Sequence, residues 1–458
     1  MPFFHPFVRS YNRFSPMKRQ SKEINIQNES GQVMAFLAVV FVVLLGFAAL
    51  AIDGGMLFSD RRHAQNAADA SSLAGGSGAA YYMRLHNVNY NAFVCGTSGA
   101  TNTASAAETA AITHAALNDY VIDNDVSDKH GVTVACEIND LGSYEDKHLD
   151  IITKITRDTS TNFAHLVYDG PLRNEVEAVA RIYPPAPLAF GKAIVALNNN
   201  ACSGNSYGVI FSGSSNTTVT GGGVWSNGCL TGNGTSFNVT VNNGGVGFAG
   251  SSTGTLTNIN PSPQHVPSEL PDYSTVVSEP DCSGLPNRTV PKTSPVTIEA
   301  GVYDEIKWTG GDLTLSPGLY CVTGSKGIAI NGGSVLGNGV TIFIQTGGVT
   351  INGNVSPVDL RAPEEAPDPS PAIPGVLIYL ADGNTNTISV TGNSTSFYLG
   401  TVYAPDGDLY FSGSSGTDPT FNTQLIGDNV EVSGGATIDI NFNDDENFEK
   451  PPYMDLLK

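Results

Sequence analysis

The sequence predicts a mixed fold: an N-terminal transmembrane helix, a small α+β head, and then an all-β, right-handed parallel β-helix-like solenoid. Three observations predict it. Val33 to Ile52 is twenty residues without a charge. Residues 81–190 have ordinary charge content with mixed helix and strand patterning. In the C-terminal part, short alternating apolar segments ending in Gly recur at a step of 21 residues. The implied domains are a basic cytoplasmic segment at 1–28, a transmembrane and juxtamembrane helix at 29–80, an extracytoplasmic α+β domain at 81–190, and a β-helix-like domain at 191–458 with Pro-rich insertions near 259–295 and 361–374.

The apolar run, at ~1.5 Å per helical residue, spans ~30 Å, the thickness of a bilayer core. Arg9, Arg13, Lys18, Arg19 and Lys22 precede it, so the positive-inside rule places the N-terminus in the cytoplasm and the bulk outside. Charge follows the same division: residues 1–32 carry +3 and the remainder −24. An acidic exported part excludes nucleic acid as a partner, since phosphate neutralisation needs clustered Lys and Arg. The alternative is a cleaved signal peptide, for which Ala49-Leu50-Ala51 offers a small-x-small site. All six cysteines, Cys95, Cys136, Cys202, Cys229, Cys282 and Cys321, follow the apolar run and none forms a CxxC pair. That favours an exported disulfide framework over a zinc or redox motif. Sequential pairing (95–136, 202–229, 282–321) is the expected connectivity among fifteen, each bond being worth ~3–4 kcal/mol on the chain-entropy model.

Beyond the span come Asp53-Gly54-Gly55 and a helical stretch in which Ala64, Ala67, Ala68, Ser71 and Ala74 fall three or four apart. They make a smooth face suited to close packing, either against partner helices at the membrane or against the protein's own domain. Gly75-Gly76 reads as its end. Gly31-Gln32, the apolar helix, Ala51-Ile52-Asp53-Gly54-Gly55, Arg61-Arg62, Gln65-Asn66-Ala67-Ala68-Asp69-Ala70 and Leu73-Ala74-Gly75 together resemble the N-terminal module of the Tad (Flp) pilus-assembly proteins, closest to the TadE/TadG-like group, over residues 29–76. The resemblance implies a single-pass, pseudopilin-like envelope protein with Tad pilus or secretion machinery components as partners. Two positions depart from relatives. With Glu29 as the prepilin glutamate, Ile24 stands before the cut; a cut after Gly31 puts Phe36 at the glutamate position. The integrin-like Asp-x-Ser-x-Ser motif of some large relatives has only Asp123-Asn124-Asp125-Val126-Ser127 as a near miss.

In the head, Ala104–Leu117 has helical spacing, Val132-Thr133-Val134 and Leu149–Ile155 alternate like strands, Thr159–Val167 reads as a short helix, and Val176–Ile182 as strand or helix. Tyr183-Pro184-Pro185-Ala186-Pro187 reads as a stiff linker. His114, His130, His148 and His165 show no metal spacing and read as surface residues.

From Ala193 to Ser268 there is no Asp, Glu, Lys or Arg. Val209-x-Phe211-x-Gly213 and Val246-x-Phe248-x-Gly250 nevertheless alternate as strands. Ile388-x-Val390-x-Gly392, Leu409-x-Phe411-x-Gly413 and Val430-x-Val432-x-Gly434 are 21 residues apart, as are Ile328-x-Ile330-x-Gly332 and Val349-x-Ile351-x-Gly353. Fixed recurrence at this length marks stacked repeats, with a sandwich of hairpins as the competing fold. The Pro-rich segments read as surface excursions and the tail from Asn443 as a cap on the last coil.

The function predicted is a membrane-anchored, non-enzymatic pilus-assembly or adhesion protein, with surface glycans or proteins as further partners and no catalytic, cofactor or metal residue set. The alternative is a membrane-anchored polysaccharide-active enzyme, which would draw its carboxylates from Asp304, Glu305, Asp312, Asp382, Asp406, Asp408, Asp428 and Glu431. An ice-binding-like or surface-layer module is a third option, but the Thr ladders it needs are absent. Gly250-Ser251-Ser252-Thr253-Gly254 matches a nucleophile elbow in letters only, without a following helix pattern.

Overall fold

The computed structural model describes residues 30–123, 130–164, 170–202, 208–271, 273, 276–364, 371–414 and 419–457. The basic segment 1–28, His165 and the middle of the 361–374 insertion lie outside the described residues. The chain divides into two units, 1–60 with 158–174, and 61–157 with 175–458. Helix α1, Ser30–Leu85, contributes residues to both.

In the first unit α1 carries the apolar run, long and apolar enough to cross a membrane, with its side chains almost all exposed. Asp53, by contrast, is buried. Its Oδ1 accepts the backbone N–H of Asn162 at 2.9 Å, and its Oδ2 accepts those of Phe163 at 3.0 Å and Ala164 at 2.6 Å. The carboxylate thus does for this turn what a helix N-cap does, satisfying N–H groups that the turn itself leaves unpaired. Thr159 Oγ1 donates to Asp60 Oδ2 at 2.7 Å, and Asn174 Nδ2 to the Leu57 carbonyl at 3.2 Å, so one helix face ties down the 159–174 connection. Of the stretch 159–167 expected as a short helix, Thr159 ends a strand, 160–163 are irregular, Ala164 has 3-10 helical backbone, and 165–167 lie outside the described residues.

The second unit begins with the head. There α1 packs beside α2, Ser98–Leu117, and against an antiparallel sheet of β1 (His130–Asp140), β2 (Glu145–Thr159), β3 (Leu172–Tyr183) and the C-terminal strand Tyr453–Leu456. Val176–Ile182 is therefore strand. The smooth face of α1 is used inside the chain rather than offered to partner helices: Ala64, Ala67, Ala68 and Ser71 are buried in the head core with Ala107, Ala111, Leu149 and Ile151. Ser71 Oγ donates to the Ala111 carbonyl at 2.8 Å and Ser72 Oγ to the Ala178 carbonyl at 3.1 Å. Gly75-Gly76 does not end the helix, which runs on to Leu85. A Cβ on Gly75 would sit 2.8 Å from Ile151 Cγ2, and one on Gly78 would sit 2.7 Å from the Ala110 Cβ. These glycines set how closely the elements approach.

Beyond Gly191 the chain forms short parallel strands. Most repeats give one strand to a ten-stranded sheet and two to an eighteen-stranded sheet; in Thr401–Gly413 and Leu425–Gly434 one long strand takes the place of the two. The 21-residue step is a strand register, held from Ile328 to Val349 and from Ile388 to Val430, with a step of 22 from Ile306 to Ile328. Ile306, Ile328, Val349, Ile388, Leu409 and Val430 are successive rung partners, with the Pro-rich insertion lengthening one step between Val349 and Ile388. All are buried in one apolar core. Stacking is what buries them, because a single repeat has only one apolar face.

The order of repeats departs from sequence order. Val430 pairs next with Val209, and Thr437–Asn441 pairs with Asn216–Thr220, all in parallel. Along the ten-stranded sheet, strands beginning at 296, 312, 333, 355, 396, 420 and 437 are followed by those at 216, 238 and 259. The last repeat therefore docks on the first, at the middle of the stack. Two sequence expectations change as a result. The last repeat is covered already, so the tail does not cap it. Instead Glu449–Lys450 pairs with Ala186–Pro187, and Tyr453–Leu456 pairs with Ala180–Tyr183 to complete the head sheet. Residues 186–187 are thus paired backbone and more than a linker.

Second, the 259–295 segment is more than a surface excursion. Ile259–Asn260 is a rung, and the following residues carry the chain back along the stack to the far strand at 296. Leu270, Tyr273 and Val277 are buried against Tyr379, Tyr403 and Phe343. Asn227 Oδ1 accepts the Leu270 N–H at 2.8 Å, and Tyr379 Oη donates to the Val277 carbonyl at 3.1 Å. The Cys282–Cys321 disulfide fixes this strap; Cys95–Cys136 and Cys202–Cys229 complete the sequential pairing expected.

Replacing Cys282 and Cys321 together by Ser should lower unfolding free energy by about 4 kcal/mol for a loop of this length, read by denaturant unfolding. Asp53→Ala should speed amide exchange at 162–164 at least tenfold without changing exchange in the stacked strands; unchanged exchange at 162–164 would remove Asp53 from its role.

Candidate functional site

Two clefts adjoin the strap, and Pro271 lines both. The first is a cavity of about 390 Å³ lined by Tyr90, Tyr144, Tyr183, Phe190, Tyr273 and Tyr453, with Lys147, Lys450, Glu145 and Asp146 among them. Local structure explains this gathering. Tyr144 and Asp146 stand at the start of β2. Tyr183 ends β3, and Tyr453 arrives through the tail strand paired to it. Phe190 is turned in by a left-handed backbone at Ala189 and Phe190, with φ of 53° and 52°.

The rings form two stacked pairs. Tyr144 and Phe190 have centroids 4.0 Å apart and planes within 8°; Tyr183 and Tyr453 are 4.3 Å apart and within 10°. Lys450 Nζ lies 3.4 Å from the Tyr453 centroid, and Lys147 Nζ 4.5 Å from that of Tyr90. These are cation–π distances. Burial pushes the Tyr90, Tyr273 and Tyr453 hydroxyls above their ordinary range, so they remain neutral hydrogen-bonding groups. Tyr90 Oη donates to the Glu145 carbonyl at 2.7 Å. Flat ring faces beside neutral hydroxyls and a few charges can stack on a ligand ring and bond its polar edge.

The second cleft, about 470 Å³, is acidic, with Asp382, Asp406, Asp428 and Glu269 in its wall. Here the structure brings together three of the carboxylates singled out in the sequence. Asp428 accepts from Asn198 Nδ2 at 2.8 Å and from Asn429 Nδ2 at 2.9 Å; Asn429 also donates to Asp408 Oδ1 at 2.8 Å. Burial raises the Asp428 carboxyl above the usual range, against the two Asn bonds, and neighbouring Asp408 and Asp406 add to the rise. Among the described residues lining this cleft there is no Lys or Arg. Glu305, Asp312 and Glu431 lie in separate local bonds, Glu305 with Lys326, Asp312 with Ser334, and Glu431 with Ser212. Ser252 lies within the strand Ser251–Gly254, and the letters of a nucleophile elbow are not on a strand-to-helix turn. Of the histidines read as surface residues, His114 is exposed and His130 half-buried, but His148 is wholly buried beside three carboxylates, because its strand is central in the head sheet.

The aromatic cleft carries no sequence signature. Its rings come from 90, 144, 183, 190, 273 and 453, and only the strap and the tail bring them together. The aromatic content of the 183–190 region was the one local hint.

Residues 31–80 match the family model described as putative Flp pilus-assembly TadE/G-like. No curated protein and no solved structure matches the chain. The matched segment begins with the apolar span and ends in the buried glycine and alanine face of α1, so it contains both Asp53 and the packing surface of the head.

An Asp428 pKa raised in the folded state means the folded protein holds its proton more tightly than the unfolded chain. That contribution favours folding at low pH and is lost as pH rises from the ordinary carboxyl range through the raised value. Asp428→Asn should therefore melt higher relative to the native protein at pH 7 than at pH 3.5; a pH-independent difference would contradict the assignment.

Proposed function

We propose that the protein is a membrane-anchored, non-enzymatic component of Tad/Flp pilus assembly or surface attachment, with its N-terminus in the cytoplasm. It displays a right-handed parallel β-helix-like solenoid outside the cell. The observation that carries this reading is the placement of the Tad-like match on α1, where one helix holds the apolar span and then the core of the head. Five basic residues before the span and three disulfides after it support the orientation. Parallel rungs in 21-residue register support the solenoid. Because the small-residue face of α1 is occupied by its own head, contacts with machinery components fall to the apolar span in the membrane and to the outer surfaces. The aromatic cleft, with two stacked ring pairs, suits contact with sugar rings of surface glycans or with aromatic side chains of a protein.

A second reading, a polysaccharide-active enzyme, is favoured by the acidic cleft alone. The convergence of Asp382, Asp406 and Asp428 meets one requirement of glycoside chemistry, paired carboxylates.

Loss of the protein should abolish assembled pili or surface attachment, and both the native chain and the double variant D406N/D428N should restore it. Restoration by the native chain alone, with new sugar ends released from a polysaccharide, would overturn the non-enzymatic role. In intact cells a membrane-impermeant maleimide should label S214C and spare S21C; the reverse would overturn the orientation.

A further inference from the structure

We propose that Glu137, His148 and Asp150 form a structural site for a divalent ion of the zinc type within the head. The site is built by strand register. Glu137 on β1 lies directly opposite His148 on β2, and Asp150 follows two residues on, so the three side chains share one sheet face. The intervening Leu149 and the following Ile151 point the other way, into the helix-packed core.

His148 is fully buried, yet neither ring nitrogen has a hydrogen-bond partner. A buried imidazole in that state is costly unless something engages it. Its Nε2 faces Glu137 Oε2 at 3.7 Å and Asp150 Oδ1 at 3.9 Å, and the three prospective ligand atoms lie within 4.8 Å of one another. Two ligands bound tetrahedrally to one zinc ion stand about 3.4 Å apart. The two separations from His148 Nε2 are thus a few tenths of an ångström wider than in a loaded site, the Glu137–Asp150 separation is wider still within the 4.8 Å span, and Glu137, half exposed, has the freedom to close both.

The surroundings fit the same chemistry. Asp146 Oδ2 lies 3.4 Å from His148 Nδ1, on the side away from Glu137 and Asp150. The two are not hydrogen-bonded in this geometry, but a small turn of the ring or of the Asp146 side chain would let that carboxylate take the second ring N–H and fix the tautomer that presents Nε2 to a metal. Arg181 holds Asp150 in a fork, with Nε at 2.7 Å and Nη2 at 2.8 Å. That fork orients the carboxylate and leaves each oxygen a further lone pair. Three carboxylates and one guanidinium leave two negative charges around the imidazole, which one divalent cation balances. Imidazole as a ligand selects a zinc-type ion over calcium or magnesium, which prefer oxygen alone. The ion would bridge β1 and β2 a residue away from the Cys95–Cys136 disulfide, and its open position would face the exposed side of Glu137. The rival arrangement is an imidazolium held by the three acids without metal.

The two are separated by titrating the full-length protein, in detergent and stripped by a chelator, with zinc chloride in a calorimeter. One zinc per chain is expected, no stoichiometric uptake by H148A, and at least tenfold weaker uptake by E137Q. Absence of stoichiometric zinc binding in the native protein would overturn the site. So would binding by E137Q equal to that of the native chain. The E137Q variant alters a half-exposed side chain, so it decides the matter even if H148A fails to fold.

Discussion

Parallel pairing of 430–432 with 209–211, and of 437–441 with 216–220, joins the last repeat of the β region to its first. Most other features of the β region and of the head follow from that contact. It places the entrance and exit of the chain side by side at the middle of the stack. The tail can then return to the head and add a strand to β3. It also leaves the strands at 259 and 296 at opposite ends of the ten-stranded sheet, so the chain between them returns along the stack. Buried polar groups hold the junction: Gln424 Nε2 donates to the carbonyls of Leu188 and Lys192, and Asn447 Oδ1 accepts the Gln424 N–H at 2.9 Å. These bonds satisfy the Gln424 amide nitrogen and backbone N–H, while its Oε1 stays buried without a partner.

The head depends on smallness instead. Alanine and glycine on α1 let two helices and a sheet approach until backbone carbonyls accept from serine hydroxyls. The same pattern in a membrane would serve helix association, and the sequence leaves the two uses equivalent. The difference lies in what the rest of the chain supplies. Ala107, Ala111 and Ile151 fill the opposite surface, so this face is not left for a partner. Asp53 extends this economy of space to the membrane-proximal unit, where one carboxylate orders a three-residue turn.

Surface chemistry is divided by the strap. On one side aromatic rings stack in pairs with lysines over them; on the other carboxylates gather without a basic neighbour in the lining. The first arrangement suits recognition of flat or cyclic groups. The second repeats a part of what glycoside chemistry requires, and its asparagine bonds to Asp428 and Asp408 tie the carboxylates to the rungs beneath. Both clefts exist only because the strap crosses the outer sheet face there.

The sequence by itself determined the apolar span, the alternating strands and the 21-residue register. Each depends on contacts between neighbours in the chain or on a periodic pattern, and Ile388, Leu409 and Val430 are rung partners for the same reason that they are evenly spaced. It also carried the Tad-like module, whose order of short motifs lies within fifty residues. Tertiary structure alone decided what depends on distant partners: that Gly75 and Gly78 continue a helix because neighbours press on them, that His148 is enclosed by acids from two strands, and that rings from 90 to 453 share a cleft. It also decided that the stack closes last on first. Every repeat presents nearly the same apolar edge, so local pattern gives each strand a shape and a direction but does not say which repeat its edge will meet.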